Sequence, residues 1–290
     1  MAANETAGVV GNKGLSSSKE EYIAALLREK QLDHVNQVSD PVTPRDGLYV
    51  RVGKRTLDVI ISLAALIVSS PVNLILGICT FFDVGRPIFF KQTRMGKDGT
   101  RFEIVKFRNM TNATDENGVL LPPSQRVTKF GKFVRKVSLD ELLNFWSVLK
   151  GDMSIIGPRP LPVIFEDRYS DRHKMRFAVK PGLECPRVIH VDELAEHQEQ
   201  GGMSKYQAQF ENDVWYVEHV SFATDCRMIL KLFQMTFNFK KRTKAAGGNS
   251  YFVGYDEYDR AISFKKICEF HPEYLDGYES GEERKERTAV

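Results

Sequence analysis

Two adjacent carboxylates, Asp140 and Glu141, have the setting in this 290-residue chain that best suits chemistry. Arg135 and Lys136 come just before them, and a Gly-Pro-Arg-Pro sequence follows at 157–160. Such a pair among cations fits phosphoryl transfer, because one carboxylate can attack phosphorus while the other holds a divalent cation. The alternative is purely structural, since acidic side chains in a first helical turn are favoured by the helix dipole.

An amphipathic helix over residues 139–149 is predicted to carry this pair. Its apolar side chains recur at the spacing of one helical face; they are Leu139, Leu142, Leu143, Trp146 and Leu149. Ser138 and Glu141 have the spacing of a capping box, which would place both acids in the first turn. The loop after this helix is stiff, because its two prolines fix φ near −65°. It can hold Arg159 in place for phosphate, or it can be a tight turn with a solvated arginine.

A strongly apolar run at 57–82 predicts a membrane element. As one helix it would extend about 39 Å, enough to cross a hydrocarbon core of about 30 Å. Ser70-Pro71 lies at its middle, where proline removes a backbone donor and serine can satisfy the freed carbonyl. Both flanks are basic, and each half alone is too short to span. We therefore predict a re-entrant helix bent at Ser70 and Pro71, with a full span as the alternative.

The remaining patterns predict an α/β fold, a small mixed cytoplasmic domain with short strands and several helices. Strands at 88–90 and 102–107 flank a turn, and helical patterns occur at 162–178, 205–217 and 225–239. The predicted organisation has four parts: an N-terminal extension at 1–50, partly disordered with a short helix to about Gln31; the re-entrant helix at 51–84; a catalytic domain at 85–240; and a linker with an acidic tail at 241–290.

Charge and composition narrow the partners. Residues 86–136 contain 12 Lys/Arg and 4 Asp/Glu, a local excess of +8. This favours an anionic partner such as a nucleotide, a phosphate or an anionic lipid surface. Nucleic acid is not expected, because the sequence has no recognised nucleic-acid-binding motif. The 4 cysteines and 6 histidines are scattered without the spacing of a zinc site or a disulfide framework.

An ordered series of short motifs runs along most of the chain. They are Lys54-Arg55-Thr56-Leu57-Asp58, Ser70-Pro71, Gly85-Arg86-Pro87-Ile88-Phe89-Phe90-Lys91-Gln92, Lys106-Phe107-Arg108-Asn109-Met110, Thr128-Lys129-Phe130-Gly131, Arg135 through Leu142, Leu149-Lys150-Gly151-Asp152-Met153-Ser154, Gly157-Pro158-Arg159-Pro160 and Asp213-Val214-Trp215-Tyr216-Val217-Glu218. In these motifs the chain resembles the bacterial sugar transferases, the monotopic phosphoglycosyl transferases, over roughly residues 51–240.

The resemblance implies a reaction and roles for the site residues. Asp140 would be the nucleophile that takes a sugar-1-phosphate from a nucleotide-sugar, expected to be a UDP-sugar, and releases UMP. Glu141 would hold Mg²⁺. Polyprenyl (undecaprenyl) phosphate would then accept the phosphosugar and start glycan assembly. Four residues would bind phosphate: Arg135, Arg159, Lys106 and Arg108. The family's re-entrant helix would rest among lipids of the bacterial inner membrane, with the catalytic domain on the cytoplasmic face, and a homodimer is left open.

The chain departs from the family pattern at 183–190. Family members usually read Lys-Pro-Gly-Ile-Thr-Gly-Trp-Ala-Gln-Val-Asn-Gly-Arg, whereas this chain continues from Lys180-Pro181-Gly182 with Leu-Glu-Cys-Pro-Arg-Val-Ile-His. We hypothesise that Arg187 replaces the missing arginine. The alternative function is a non-catalytic membrane scaffold of a polysaccharide-assembly complex, its activity lost with the altered segment.

Overall fold

The computed structural model describes residues 18–116, 118, 120–188, 205–237, 251–276 and 278. Its α-helices are α1 (Ser18–Val38), α2 (Lys54–Val84), α3 (Pro123–Arg126), α4 (Lys129–Lys136), α5 (Asn144–Lys150), α6 (Asp171–Lys174), α7 (Lys205–His219), α8 (Phe222–Phe237) and α9 (Phe264–Phe270). Its strands are β1 (Phe89–Met95), β2 (Arg101–Phe107), β3 (Ser154–Ile156), β4 (Gly182–Glu184), β5 (Phe252–Tyr255) and β6 (Ala261–Ser263). Short 3₁₀ segments lie at Lys97–Gly99, Leu139–Glu141, Val163–Arg168, Met175–Ala178 and Pro272–Leu275, and a π-helical turn precedes α2 at Tyr49–Gly53. A mixed helix and strand domain is thus confirmed.

The strands of the described residues form three two-stranded sheets. The β1–β2 hairpin is antiparallel, with Phe89 opposite Phe107, and its 3₁₀ turn lies where the glycines predict it. The β3–β4 pair is parallel and sets Ile156 beside Glu184. This parallel pair matters most for the site, because the chain leaves β3 directly into the Gly-Pro-Arg-Pro loop.

Helix α2 carries the apolar run, and within the described part of the chain Tyr49–Val84 is the one stretch long and apolar enough to cross a membrane. Large apolar side chains along it are exposed, among them Ile67 (65%) and Val68 (77%). The helix continues through Pro71. Since Pro71 has no N–H for the carbonyl of Ile67, the Ser70 hydroxyl donates to that carbonyl instead, at 2.8 Å.

Both ends of α2 dock on the mixed domain. Near its start, buried Asp58 accepts from the Ser154 hydroxyl (3.0 Å) and the Ile155 N–H (2.9 Å) of β3. Near its end, Asp83 accepts from the Thr128 hydroxyl at 2.6 Å. Leu76, almost two turns earlier, is buried in a cluster with Phe107 and Val134. The exposed apolar middle is therefore held between two anchored ends.

The predicted helix at 139–149 is wrong in its first half. Residues Leu139–Glu141 form a 3₁₀ turn, and α-helix begins only at Asn144. The capping box is also wrong: Ser138 has a left-handed backbone (φ 58°) and its side chain caps nothing. The change of helix type breaks the 3.6-residue period, so Trp146 is 55% exposed rather than buried.

The three other helical predictions meet different outcomes. The pattern at 162–178 is not one helix, because Ser170 adopts an extended backbone and its hydroxyl accepts from the N–H of His173 to begin α6. The patterns at 205–217 and 225–239 are confirmed by α7 and α8 over their described residues. Met228 of α8 is fully buried, whereas Leu230 is 64% exposed.

The described segments nearest the two ends of the chain, 18–38 and 251–276, fold together, which the sequence patterns did not predict. Helix α1 runs to Val38, well past the expected end near Gln31. The described part of the expected acidic tail forms β5, β6 and α9. These elements share one buried apolar cluster with α1: Ile23, Ala24, Leu27, Val253, Ile262 and Ile267. We call this packed group (α1, β5, β6 and α9) the terminal unit; Arg168 joins it to the mixed domain through Glu21 (2.9 Å) and the carbonyl of Phe252 (2.7 Å).

Candidate functional site

The Asp140–Glu141 pair lies in a tight turn between α4 and α5. Helix α4 ends at Lys136, and the left-handed Ser138 reverses the chain before the 3₁₀ turn. A non-glycine residue at positive φ is uncommon and is maintained only by its surroundings. Those surroundings include the cluster of Leu76, Phe107 and Val134, against which Leu139 and Leu142 pack. The turn therefore has a fixed orientation, with the Asp140 residue only 8% exposed.

Glu141 is at the centre of an ion-pair network. Its Oε1 accepts from Lys106 Nζ at 2.7 Å and from Arg159 Nη2 at 2.6 Å. Lys106 is near the end of β2, and Arg159 is in the loop that follows β3, so two separate sheets supply the cations. Arg159 Nη1 also reaches Glu184 Oε1 at 2.6 Å. The structure thus brings Lys106 and Arg159 to the carboxylate pair, and their binding of phosphate stays a prediction.

Asp140 is linked to Arg135 through the side chain of Asn109. Asn109 Nδ2 donates to Asp140 Oδ2 over 3.4 Å, and Arg135 Nη2 donates to Asn109 Oδ1 at 2.6 Å. Since the guanidinium must face the amide oxygen, the amide nitrogen is turned toward Asp140. The backbone of Asn109 is fixed by α4, because a Cβ at Gly131 would collide with the Asn109 carbonyl. Arg135 therefore orients Asp140 indirectly, through the side chain of Asn109.

The two carboxyl groups differ in their electrostatics. Burial raises the pKa of Asp140; Lys106 opposes this rise and the charge of Glu141 adds to it. Burial would raise the pKa of Glu141 too, but Arg159 and Lys106 outweigh it and hold that pKa below its ordinary value. Glu141 is therefore the stabilised anion, whereas Asp140 is a less solvated and more basic carboxylate, which suits a nucleophile.

Two predicted phosphate-binding residues are placed elsewhere. Arg108 is nearly buried and donates to the carbonyls of Val84 and Arg86, at the end of α2. Its guanidinium satisfies the carbonyl of Val84, which the helix leaves free at its C-terminus, and that of Arg86 just beyond it. Arg187 is exposed one residue before the described segment ends at 188, and no hydrogen bond of the described residues joins it to Asp140 or Glu141.

Sequence reasoning missed Asn109 and Glu184 as members of the site. Asn109 lies within the Lys106-to-Met110 motif, so its position in that motif was an available signal. Glu184 lies in the segment that departs from the family pattern, and the new carboxylate in that segment was the signal there.

The carboxylates also decide what metal could bind. Mg²⁺ prefers oxygen ligands and is commonly held by one or two carboxylates together with substrate phosphates. Asp140 and Glu141 fit that requirement. The described residues contain no group of three or more His, Cys, Asp or Glu side chains placed to hold a metal ion by themselves.

Comparison with known proteins gives the family of the chain. Residues 49–239, more than half of the chain, match the family model described as bacterial sugar transferase. The chain is 37% identical over 176 residues to the uncharacterized sugar transferase EpsL of Bacillus subtilis, covering 61% of this chain and 83% of that protein. It is 34% identical over 192 residues to the UDP-glucose:undecaprenyl-phosphate glucose-1-phosphate transferase of Klebsiella pneumoniae (64% of this chain, 40% of that one). Over 147 residues it is 35% identical to the undecaprenyl-phosphate galactose phosphotransferase of Salmonella typhimurium (45% of this chain, 31% of that one). The chain thus spans less than half of the last two relatives, yet the family match extends from α2 through α8, and the chain belongs to the bacterial sugar transferase family.

Proposed function

We propose that this chain transfers a sugar-1-phosphate from a UDP-sugar to undecaprenyl phosphate and so starts the assembly of a glycan. The observation that carries the proposal is a buried carboxylate, Asp140, beside an anion, Glu141, that two cations neutralise. The names of the Klebsiella and Salmonella relatives support the carrier, and that of the Klebsiella protein supports a UDP-sugar donor.

The first half-reaction uses Asp140 as the nucleophile. An oxygen of its carboxylate forms a bond to the phosphorus that bears the sugar, and the bond from that phosphorus to the bridging oxygen breaks. UMP departs with the electron pair, and a covalent aspartyl-phosphosugar remains. Lys106 and Arg159 stand where they can offset the charge of the phosphate oxygens.

The second half-reaction regenerates the enzyme. A phosphate oxygen of undecaprenyl phosphate attacks the same phosphorus, the bond to Asp140 breaks, and the carboxylate recovers its electron pair. No proton needs to move, because the attacking phosphate is already an anion. Asn109 keeps the side chain of Asp140 in one orientation through both steps. Mg²⁺, held by Glu141 with phosphate oxygens of the donor, would supply further charge neutralisation.

We further propose that α2 is re-entrant and that the whole described domain lies on the cytoplasmic face of the bacterial inner membrane. Support comes from chain segments on either side of α2 that contact each other. The N–H of Arg45 donates to the carbonyl of Val217 at 3.0 Å, and Glu21 pairs with Arg168. A fully spanning α2 would separate these partners by the width of the bilayer.

Cysteine labelling tests this topology. Val52→Cys and Lys91→Cys flank α2 at exposed positions, in a background whose four cysteines are serine. A membrane-impermeant maleimide should label both variants in inverted vesicles and neither in intact spheroplasts. Labelling of the two sites from opposite sides would show a full span instead.

Intact-protein mass spectrometry tests the reaction. Protein in nanodiscs is mixed with Mg²⁺ and a panel of UDP-sugars, without the lipid carrier. We expect a mass increase of one phosphosugar with at least one donor, and its disappearance when undecaprenyl phosphate is added. If no nucleotide-sugar gives an adduct or releases UMP while the protein is folded and membrane-bound, the transferase proposal fails and the scaffold alternative gains.

A further inference from the structure

Glu184 lies next to the Gly-Pro-Arg-Pro loop because β4 pairs in parallel with β3. Its carbonyl accepts the N–H of Gly157 at 3.2 Å. The backbones touch at Gly157 and Gly182, where a Cβ on either glycine would collide with the other strand. Such a close approach leaves little freedom between the two segments. The carboxylate of Glu184 is therefore presented to Arg159 by a rigid backbone.

The Arg159 guanidinium is occupied at both ends. Nη2 donates to Glu141 and Nη1 to Glu184, each at 2.6 Å. This fork is the part of an arginine that binds a phosphate group in two-point geometry. Two-point binding of a phosphate through Nη1 and Nη2 would therefore compete with these two carboxylates.

Glu184 is the carboxylate that leaves more easily. Glu141 has a second cation, Lys106, whereas the one ion pair seen for Glu184 within the described residues is with Arg159. The Glu184 side chain is also 44% exposed, compared with 26% for Glu141. Water can therefore solvate Glu184 after release, and an exposed ion pair is inexpensive to break.

The charge balance of the cluster depends on this residue. Four cations face three carboxylates: Lys106, Arg135, Arg159 and Arg94, whose charge acts on Arg159 and Glu141, against Asp140, Glu141 and Glu184. The sum is +1 with Glu184 and +2 without it. An anionic nucleotide is therefore attracted more strongly when Glu184 turns away.

We propose, on the basis of the function proposed above, that Glu184 is a substrate-displaced counter-ion of Arg159. It competes with the donor diphosphate for the guanidinium and so weakens the binding of the donor. It competes equally with the departing nucleoside monophosphate, and so it speeds the release of UMP. Glu184 stands where the family usually has threonine, so this competition is a property of this chain's own sequence.

The test is Glu184→Gln, which keeps the size of the side chain and removes its charge. We expect the donor KM to fall about three- to tenfold, the magnitude of one partly screened charge at this distance. UMP should inhibit more strongly by a similar factor, and both effects should shrink in high salt. Glu184→Thr should behave in the same way. This second variant controls for effects of the glutamine side chain other than the loss of charge.

Glu166→Gln is the matched control. Glu166 pairs with Arg101 at 2.9 Å, its side chain is 46% exposed, and the substitution changes the net charge by the same amount. Arg101 begins β2, about 17 Å along the strand from Lys106. We expect KM and UMP inhibition to stay at their wild-type values in this variant.

The direction in which the donor KM changes in Glu184→Gln distinguishes a competing role of Glu184 from a positioning one. If Glu184 instead positions Arg159 for binding, Glu184→Gln will raise KM, and that result or an unchanged KM overturns the proposal. Binding of UDP with Mg²⁺, measured by calorimetry, is the second readout and requires no turnover. A wild-type adduct with unchanged KM and UDP affinity in the variants refutes only the role of Glu184. Absence of both adduct formation and UDP binding in the wild type refutes the transferase function and this proposal together.

Discussion

Asp140→Asn should abolish sugar-phosphate transfer. The substitution keeps the shape of the side chain but removes the anionic oxygen that would attack phosphorus, and loss of a nucleophile costs at least about 10³-fold in turnover. Asn109 can still donate to the remaining carbonyl oxygen of the new side chain, so the turn should keep its geometry. UMP release and the phosphosugar adduct should both fall below detection, with thermal stability close to that of the wild type.

Glu141→Gln distinguishes the role of Glu141 from that of Asp140. Removing the charge of Glu141 leaves Lys106 and Arg159 without their shared partner, so it should slow turnover, while slow accumulation of the adduct on Asp140 remains observable. An exposed aspartate outside the cluster, Asp171, provides the control, and Asp171→Asn should turn over normally. An adduct that persisted in Asp140→Asn and vanished in Glu141→Gln would reverse the assignment of the nucleophile.

Local patterns predicted the elements whose stability is decided locally. The β1–β2 hairpin follows from two β-rich runs around a glycine turn, and α2 follows from a long apolar run. The Ser70 hydroxyl bonding the carbonyl that Pro71 leaves free is likewise a contact over three residues. In each case the residues that stabilise the element are close to one another in the sequence.

Elements set by distant contacts were not predictable in this way. The turn at Asp140 is 3₁₀ rather than α-helical where Glu141 bonds Lys106 and Arg159, which are 35 and 18 residues away. The terminal unit brings α1 to strands more than 200 residues later, and acidic composition concealed the apolar positions of β5 and β6. Asn109 and Glu184 were missed for the same reason, since each meets its partner only in the folded chain.

The largest effect on stability is expected from Arg176→Met. Arg176 and Asp213 are both about 1% exposed and pair at 2.6 Å, and Arg176 also donates to the carbonyl of Arg159 at 2.9 Å. Methionine leaves the Asp213 carboxylate buried without its counter-charge, which costs about 3–5 kcal/mol. For a domain of this size the midpoint of thermal unfolding should fall by roughly 6–20 °C. Arg168→Met, which breaks a pair with the exposed Glu21, should cost less.

The double variant Arg176→Met/Asp213→Leu distinguishes an unpaired charge from lost packing. Because it removes both charges, most of the lost stability should return, whereas no recovery would mean that the contact with the Arg159 loop is what matters.

The pH dependence of the stability of Arg176→Met gives a second check. Burial raises the pKa of Asp213, and Arg176 opposes that rise. Without Arg176 the folded protein holds a proton on Asp213 that the unfolded chain releases at its ordinary pKa. The stability that Arg176→Met loses relative to the wild type therefore grows as pH rises and narrows as pH is lowered. A deficit for Arg176→Met that stayed constant between neutral and mildly acidic pH would show that the unpaired charge is not its cause.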